Sequence, residues 1–124
     1  MSKGFTPEGQ QALGALVRRY RHTNEVHGRV VTWMRTNNRV VPIPYPVSQE
    51  QFAHWVTATS GILVTESAIG RLERGEGRSG PPLNLLIALC RIQVLRIDGE
   101  VCDLNRVVGV LCGEEKTQKF KQNF

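Results

Sequence analysis

Between Thr65 and Gly75 the chain reads Thr-Glu-Ser-Ala-Ile-Gly-Arg-Leu-Glu-Arg-Gly, and its polar groups are of the kinds that can meet the edges of base pairs. With Ile69 and Leu72 turned inward at helical spacing, Glu66, Ser67, Gly70, Arg71 and Arg74 are left on the outer side. An arginine so placed can bridge the two acceptors of guanine, a serine can serve several partners, and a carboxylate such as Glu66 fits the amino donor of cytosine. Each has a plainer reading. Arg71 can be a solvated surface side chain, and Glu66 can simply favour the positive end of the helix.

That outer face needs elements to hold it, and their ends are marked in the sequence. Thr65 is placed as an N-cap and Gly75 as the left-handed residue after the last turn. Before it, Ser48 can accept from the amide of Gln51 while the Gln51 side chain reaches back, and Val47 can pack on Phe52, so a helix begins at Ser48. Upstream, Leu13, Leu16, Val17 and Tyr20 recur at helical spacing after Pro7 and Glu8, which predicts a helix from Pro7 to His22. Pro81 and Pro82 open another, with Leu85, Leu86, Leu89 and Cys90 beneath the polar helix. Asp103 caps a last helix bearing Leu104, Val107, Val108 and Leu111, an apolar face that is a candidate dimer surface, and Gly113 ends it.

Taken together, the pieces resemble the Xre family, the lambda-repressor and Cro type of helix-turn-helix. Leu13-Gly14-Ala15-Leu16-Val17-Arg18-Arg19-Tyr20-Arg21 is similar to the family's first helix, Ser48 to Ala53 to its second and Thr65 to Gly75 to its third, with Glu73-Arg74-Gly75 the most specific piece. Pro82 to Leu89 fits the fourth. The resemblance implies a mainly α, lambda-repressor-like fold that binds double-stranded DNA as a homodimeric, cytoplasmic transcriptional regulator. It implies base contacts from Glu66, Ser67, Gly70 and Arg71, with Gln49, Thr65, Arg74, Arg78 and Ser79 on the DNA backbone. It also implies an ion pair between Arg21 and Glu73 that ties the first helix to the third. The alternative is an adaptor or antitoxin that keeps the same fold as a protein-binding scaffold.

Two stretches depart from the family pattern. An insert at about 23–47 separates the first helix from the second, and Thr57 to Leu63 lengthens the turn between the second and third. In the first insert, β-branched pairs flank the turn-prone Arg35-Thr-Asn-Asn38, and Pro42, Pro44 and Pro46 forbid a helix beyond, so a β-hairpin or extended arm is expected. A helix from Gly28 to Asn37 with Val30, Trp33 and Met34 inward competes with it. The arm could lay Arg29, Arg35 and Arg39 along phosphates, or present Trp33, Val31 and Ile43 as an edge to a protein partner. Trp55 belongs to the core.

Composition narrows the field. The chain of 124 residues suits one domain, at 1–112, followed by a flexible basic tail at 113–124. Its net charge of +5 is concentrated between Arg18 and Arg39, whereas the polar helix sets Arg71, Arg74 and Arg78 against Glu66, Glu73 and Glu76. There is no long apolar run, so no membrane span is expected. Three cysteines, Cys90, Cys102 and Cys112, match no zinc spacing and read as reduced thiols. His22, His27 and His54 lack the companions of a metal or catalytic set, so neither an enzyme nor a cofactor is expected.

Overall fold

The computed structural model describes residues 5–37, 42–76, 80–93, 95–97 and 99–113. Expectations that fall on Arg39, Arg78, Ser79 and the tail from Glu114 therefore lie outside the described residues. The chain is mainly helical: α1 (Pro7–Arg21), α2 (Asn24–Thr36), α3 (Gln49–Ser60), α4 (Glu66–Arg74), α5 (Leu83–Arg91), a hairpin of β1 (Arg96–Ile97) and β2 (Glu100–Val101), and α6 (Leu104–Leu111). The strands are antiparallel, with Arg96 opposite Val101 and Ile97 opposite Glu100. Their residues carry no alternating pattern long enough to signal a strand, and the sequence reads there as an irregular piece.

α1 is the spine. It packs on α4 and α6 and touches α2, while α3 lies against α2, α4 and α5. Leu13, Leu16 and Val17 of α1 meet Phe52, Val56, Ile69, Leu86, Leu89 and Leu111 in one apolar cluster, all with 1% exposure or less. Gly14 lets α1 reach α4: a Cβ there would stand 2.3 Å from the Leu72 carbonyl oxygen and 2.8 Å from that of Glu73. Two backbones approach where no side chain fits, which sets the height at which α4 rides on α1.

The expected hairpin or extended arm after α1 is instead a helix. Thr23 caps it by accepting from Val26 N at 3.2 Å, and Val26 and Val30, one turn apart, are fully buried. Trp33 and Met34 continue the same stripe, half-buried against the core. Burial of an apolar face at helical spacing outweighs the strand preference of Val30 and Val31. The competing helix from Gly28 is right in type and begins one turn too late. No strand edge carries Trp33, Val31 and Ile43, and Trp33 and Ile43 are packed on the core.

The last part of the insert is clasped back to the end of α1 and to α2. The Tyr45 hydroxyl donates to the His22 carbonyl at 2.6 Å, and His27 Nε2 donates to the Ile43 carbonyl at 2.9 Å while its ring meets Tyr45 edge-on. The clasp delivers Val47, fully buried, to the start of α3, so the extra residues leave the α1–α3 junction closed.

The second departure is absorbed differently from expectation. α3 runs on to Ser60 and ends at Gly61, so the added residues lengthen the helix and only Gly61 to Thr65 connects it to α4. The Thr57 hydroxyl grips that connection, accepting from Val64 N at 2.8 Å and donating to Val64 O at 3.0 Å. At the other end Ser48 accepts from Gln51 N at 3.1 Å, but the return bond from the Gln51 side chain is not made, and Gln51 Oε1 is buried without a hydrogen-bond partner among the described residues.

α6 also departs from its expected role. Of the expected face, Val107 and Leu111 are covered from within the chain by α1 and α5, as is Val110, with at most 1% exposure, while Leu104 and Val108 are half-buried. Thr6 N donates to the Leu111 carbonyl at 2.8 Å, pinning the start of α1 to the end of α6. An apolar stripe signals that a face is buried and leaves open what buries it; here it is the chain itself.

Candidate nucleic-acid interface

The corner where α3 meets α4 is built around one buried ion pair. Glu73 accepts from Arg21 Nε at 2.8 Å and from Arg21 Nη2 at 2.7 Å, a two-pronged contact whose side chains are 10% and 4% exposed. Arg21 Nη1 donates to the Val47 carbonyl at 2.8 Å, and Gln49 Nε2 donates to Glu73 Oε1 at 3.1 Å. The end of α1, the start of α3 and the end of α4 are thus joined through a single carboxylate. Planar guanidinium and carboxylate match prong for prong, which fixes orientation as well as distance. Gln49 is a member of this network that sequence reasoning did not assign to it.

α4 leaves this corner with its outer side toward solvent. Thr65 caps it, its hydroxyl accepting from Ala68 N at 3.1 Å, and Glu66, Ser67 and Arg71 are exposed. Together with Gln49, Gly70 and Arg74 they line a polar depression of about 490 Å³. Every residue lining it is one that the sequence singles out. Gly70 departs from its expected outward position: it is buried, the floor of the depression, with Gln49 and Arg74 lying over it.

Arg74 is not simply solvated. It shares a bidentate contact with Glu76 just past Gly75, through Nε and Nη2. That hydrogen bond is the largest influence on both partners, raising the guanidinium pKa and lowering that of the carboxyl from its ordinary range. The pair is exposed, so salt and solvent screen it and a competing anion can displace Glu76.

No family model, curated protein or solved structure matches the chain.

The basic residues ahead of α3 are spread over several tasks. Arg21 is spent inside, against Glu73. Arg29, exposed on α2 where an arm was expected, donates through Nη1 to the Ile92 carbonyl at 3.3 Å just beyond α5. Beside it Arg91 donates to the Ser60 carbonyl at the far end of α3 from Gln49. A helix rises about 1.5 Å per residue, so Arg29 is anchored near the end of α3 opposite the polar depression. A carbonyl left over at a helix end is a strong acceptor for guanidinium, which explains both contacts. Arg35 is exposed in the last turn of α2. His22 has a lowered pKa, first through burial and then through the neighbouring Arg21 and Arg18 charges.

Among the described residues, no three His, Cys, Asp or Glu side chains gather in a way that could hold a metal ion, and no helix is long and apolar enough to cross a membrane.

Proposed function

We propose that the chain is a sequence-specific double-stranded DNA-binding protein of the lambda-repressor-like helix-turn-helix type, acting as a homodimeric transcriptional regulator. The observation that supports this reading best is the polar depression between α3 and α4, lined by Gln49, Glu66, Ser67, Arg71 and Arg74 over Gly70. Reading a duplex requires a rigid element with hydrogen-bonding side chains facing the groove, and α4 is held by the Arg21–Glu73 pair at one end and the Thr65 cap at the other. In this reading Arg71, with Ser67 and Glu66, meets base edges, and Thr65 meets the sugar-phosphate backbone.

The test is a binding titration of fluorescent duplexes at rising salt. Affinity is expected to fall steeply as counterions compete, and Arg71→Ala to cost about 1–3 kcal/mol on a preferred site while relaxing the choice at one base. Salt-independent binding, or an Arg71→Ala protein with unchanged preference, defeats the reading.

Two features favour a second reading, an adaptor that binds protein through the same corner. Leu63, in the connection beside the Thr65 cap, is 78% exposed, and Glu66 and Glu76 offset the charge of Arg71 and Arg74. An adaptor would show neither the salt dependence nor the base preference.

A further inference from the structure

The group it meets sets the orientation of the Gln49 amide. A carboxylate only accepts, so the 3.1 Å contact with Glu73 Oε1 makes Nε2 the inward atom and turns Oε1 away from the ion pair. Oε1 then stands over Gly70: a Cβ on that residue would lie 3.3 Å from it and 3.1 Å from Arg74 Nη1. Arg74 gives Nε and Nη2 to Glu76, whereas Nη1 makes no hydrogen bond among the described residues. An acceptor and a donor therefore flank the space above a residue with no side chain, inside the polar depression.

Phosphate offers acceptors alone, so the outward Oε1 has nothing to accept from the DNA backbone, and of the amide's two N–H donors one is already committed to Glu73. The major-groove edge of adenine carries an amino donor at N6 beside an acceptor at N7, the complement of an acceptor next to a donor. Guanine shows two acceptors there and would set its O6 against Gln49 Oε1. Thymine sets an acceptor and a methyl group in the same space.

We propose that Gln49 Oε1 and Arg74 Nη1, flanking Gly70, form a slot that reads adenine, so that Gln49 determines base choice. The Gly70 floor belongs to the slot, because a Cβ would crowd both side chains from below. Glu73 acts as a positioning residue: by holding Nε2 it keeps the acceptor turned outward. The slot rests on the duplex-binding reading of α4.

The test uses the full chain and duplexes enriched from a random pool. The wild-type protein is expected to enrich an adenine that Gln49→Met no longer selects. On the enriched duplex, replacing that adenine by purine without the 6-amino group should weaken the wild type roughly tenfold and leave Gln49→Met unaffected. Replacing it by 7-deazaadenine should weaken the wild type but not Arg74→Ala. Independently of any variant, the Gln49 side-chain amide protons should show hydrogen-bonded, slowed exchange by NMR in the free chain and keep it when the duplex is added. If Gln49→Met weakens every duplex evenly, or those protons exchange freely, the slot is wrong while duplex binding stands. If the wild type enriches no sequence and binds without regard to salt, both the slot and the reading beneath it fail.

Discussion

Replacing Glu73 by alanine attacks the fold at the point where three helices share one group. The wild-type carboxylate accepts from two nitrogens of Arg21 and one of Gln49, at 2.7–3.1 Å, with only 4% of its side chain exposed. Removing it leaves the Arg21 guanidinium, 10% exposed, with the Val47 carbonyl as its remaining hydrogen-bond partner among the described residues. An ion stranded in this way costs about 3–5 kcal/mol, whereas breaking an exposed pair costs under about 1. Alanine is the better helix former, so helix propensity opposes this loss and does not cause it. For a domain of this size the loss lowers the melting temperature by roughly 10–20 °C. The assay is thermal and urea unfolding followed by far-ultraviolet circular dichroism, on Glu73→Ala, Arg21→Met and the double variant. The double variant is expected to lose less than the sum of the two, because neither charge is then stranded. A Glu73→Ala protein within about 1 kcal/mol of wild type would refute the reasoning, since a pair that cheap is exposed.

Gly14→Ala should destabilise by at least about 1–3 kcal/mol in urea unfolding, because its Cβ would meet the Leu72 carbonyl oxygen at 2.3 Å; a neutral effect rules out the close α1–α4 crossing. Leu111→Ala should cost about 2–5 kcal/mol and leave the oligomeric state seen by light scattering unchanged, whereas a shift toward monomer with little loss of stability would return α6 to the role of subunit contact. Burial, followed by the Asp103 charge, raises the Cys90 thiol pKa, so its thiolate forms at higher pH than that of an exposed cysteine. Its alkylation by iodoacetamide, read peptide by peptide in a mass spectrometer, should still climb with pH where an exposed thiol has levelled off; levelling at ordinary pH contradicts that burial.

The parts legible in the sequence are those whose signals are local. α4 declares itself through Thr65 at its start, Gly75 at its end and the inward pair Ile69 and Leu72, all within one stretch of chain. α2 is easily misread because Val30-Val31 and the prolines speak for strand or coil, while the Thr23 cap and the Val26–Val30 spacing gain their weight only from the core that buries them. The closeness required at Gly14 depends on carbonyls far away in the sequence, and nothing nearby announces it. α6 shows an apolar stripe without naming what covers it. At the site, residue types and the face they share are readable, whereas the inward turn of the Gln49 amide depends on Glu73 and the Arg74–Glu76 pair on the left-handed turn at Gly75. Arg29 illustrates the same limit: its charge is evident in sequence, and its target, the Ile92 carbonyl, is a tertiary fact.

Chemical-shift mapping by NMR, with a duplex enriched by the wild-type chain added to the isotope-labelled protein, tests the central claim most directly. The largest changes are expected at the amides of Thr65, Glu66, Ser67 and Arg71 and at the Gln49 side chain, with α5 and α6 nearly silent. Changes confined to α2 and α6, or none on adding the duplex, would contradict it.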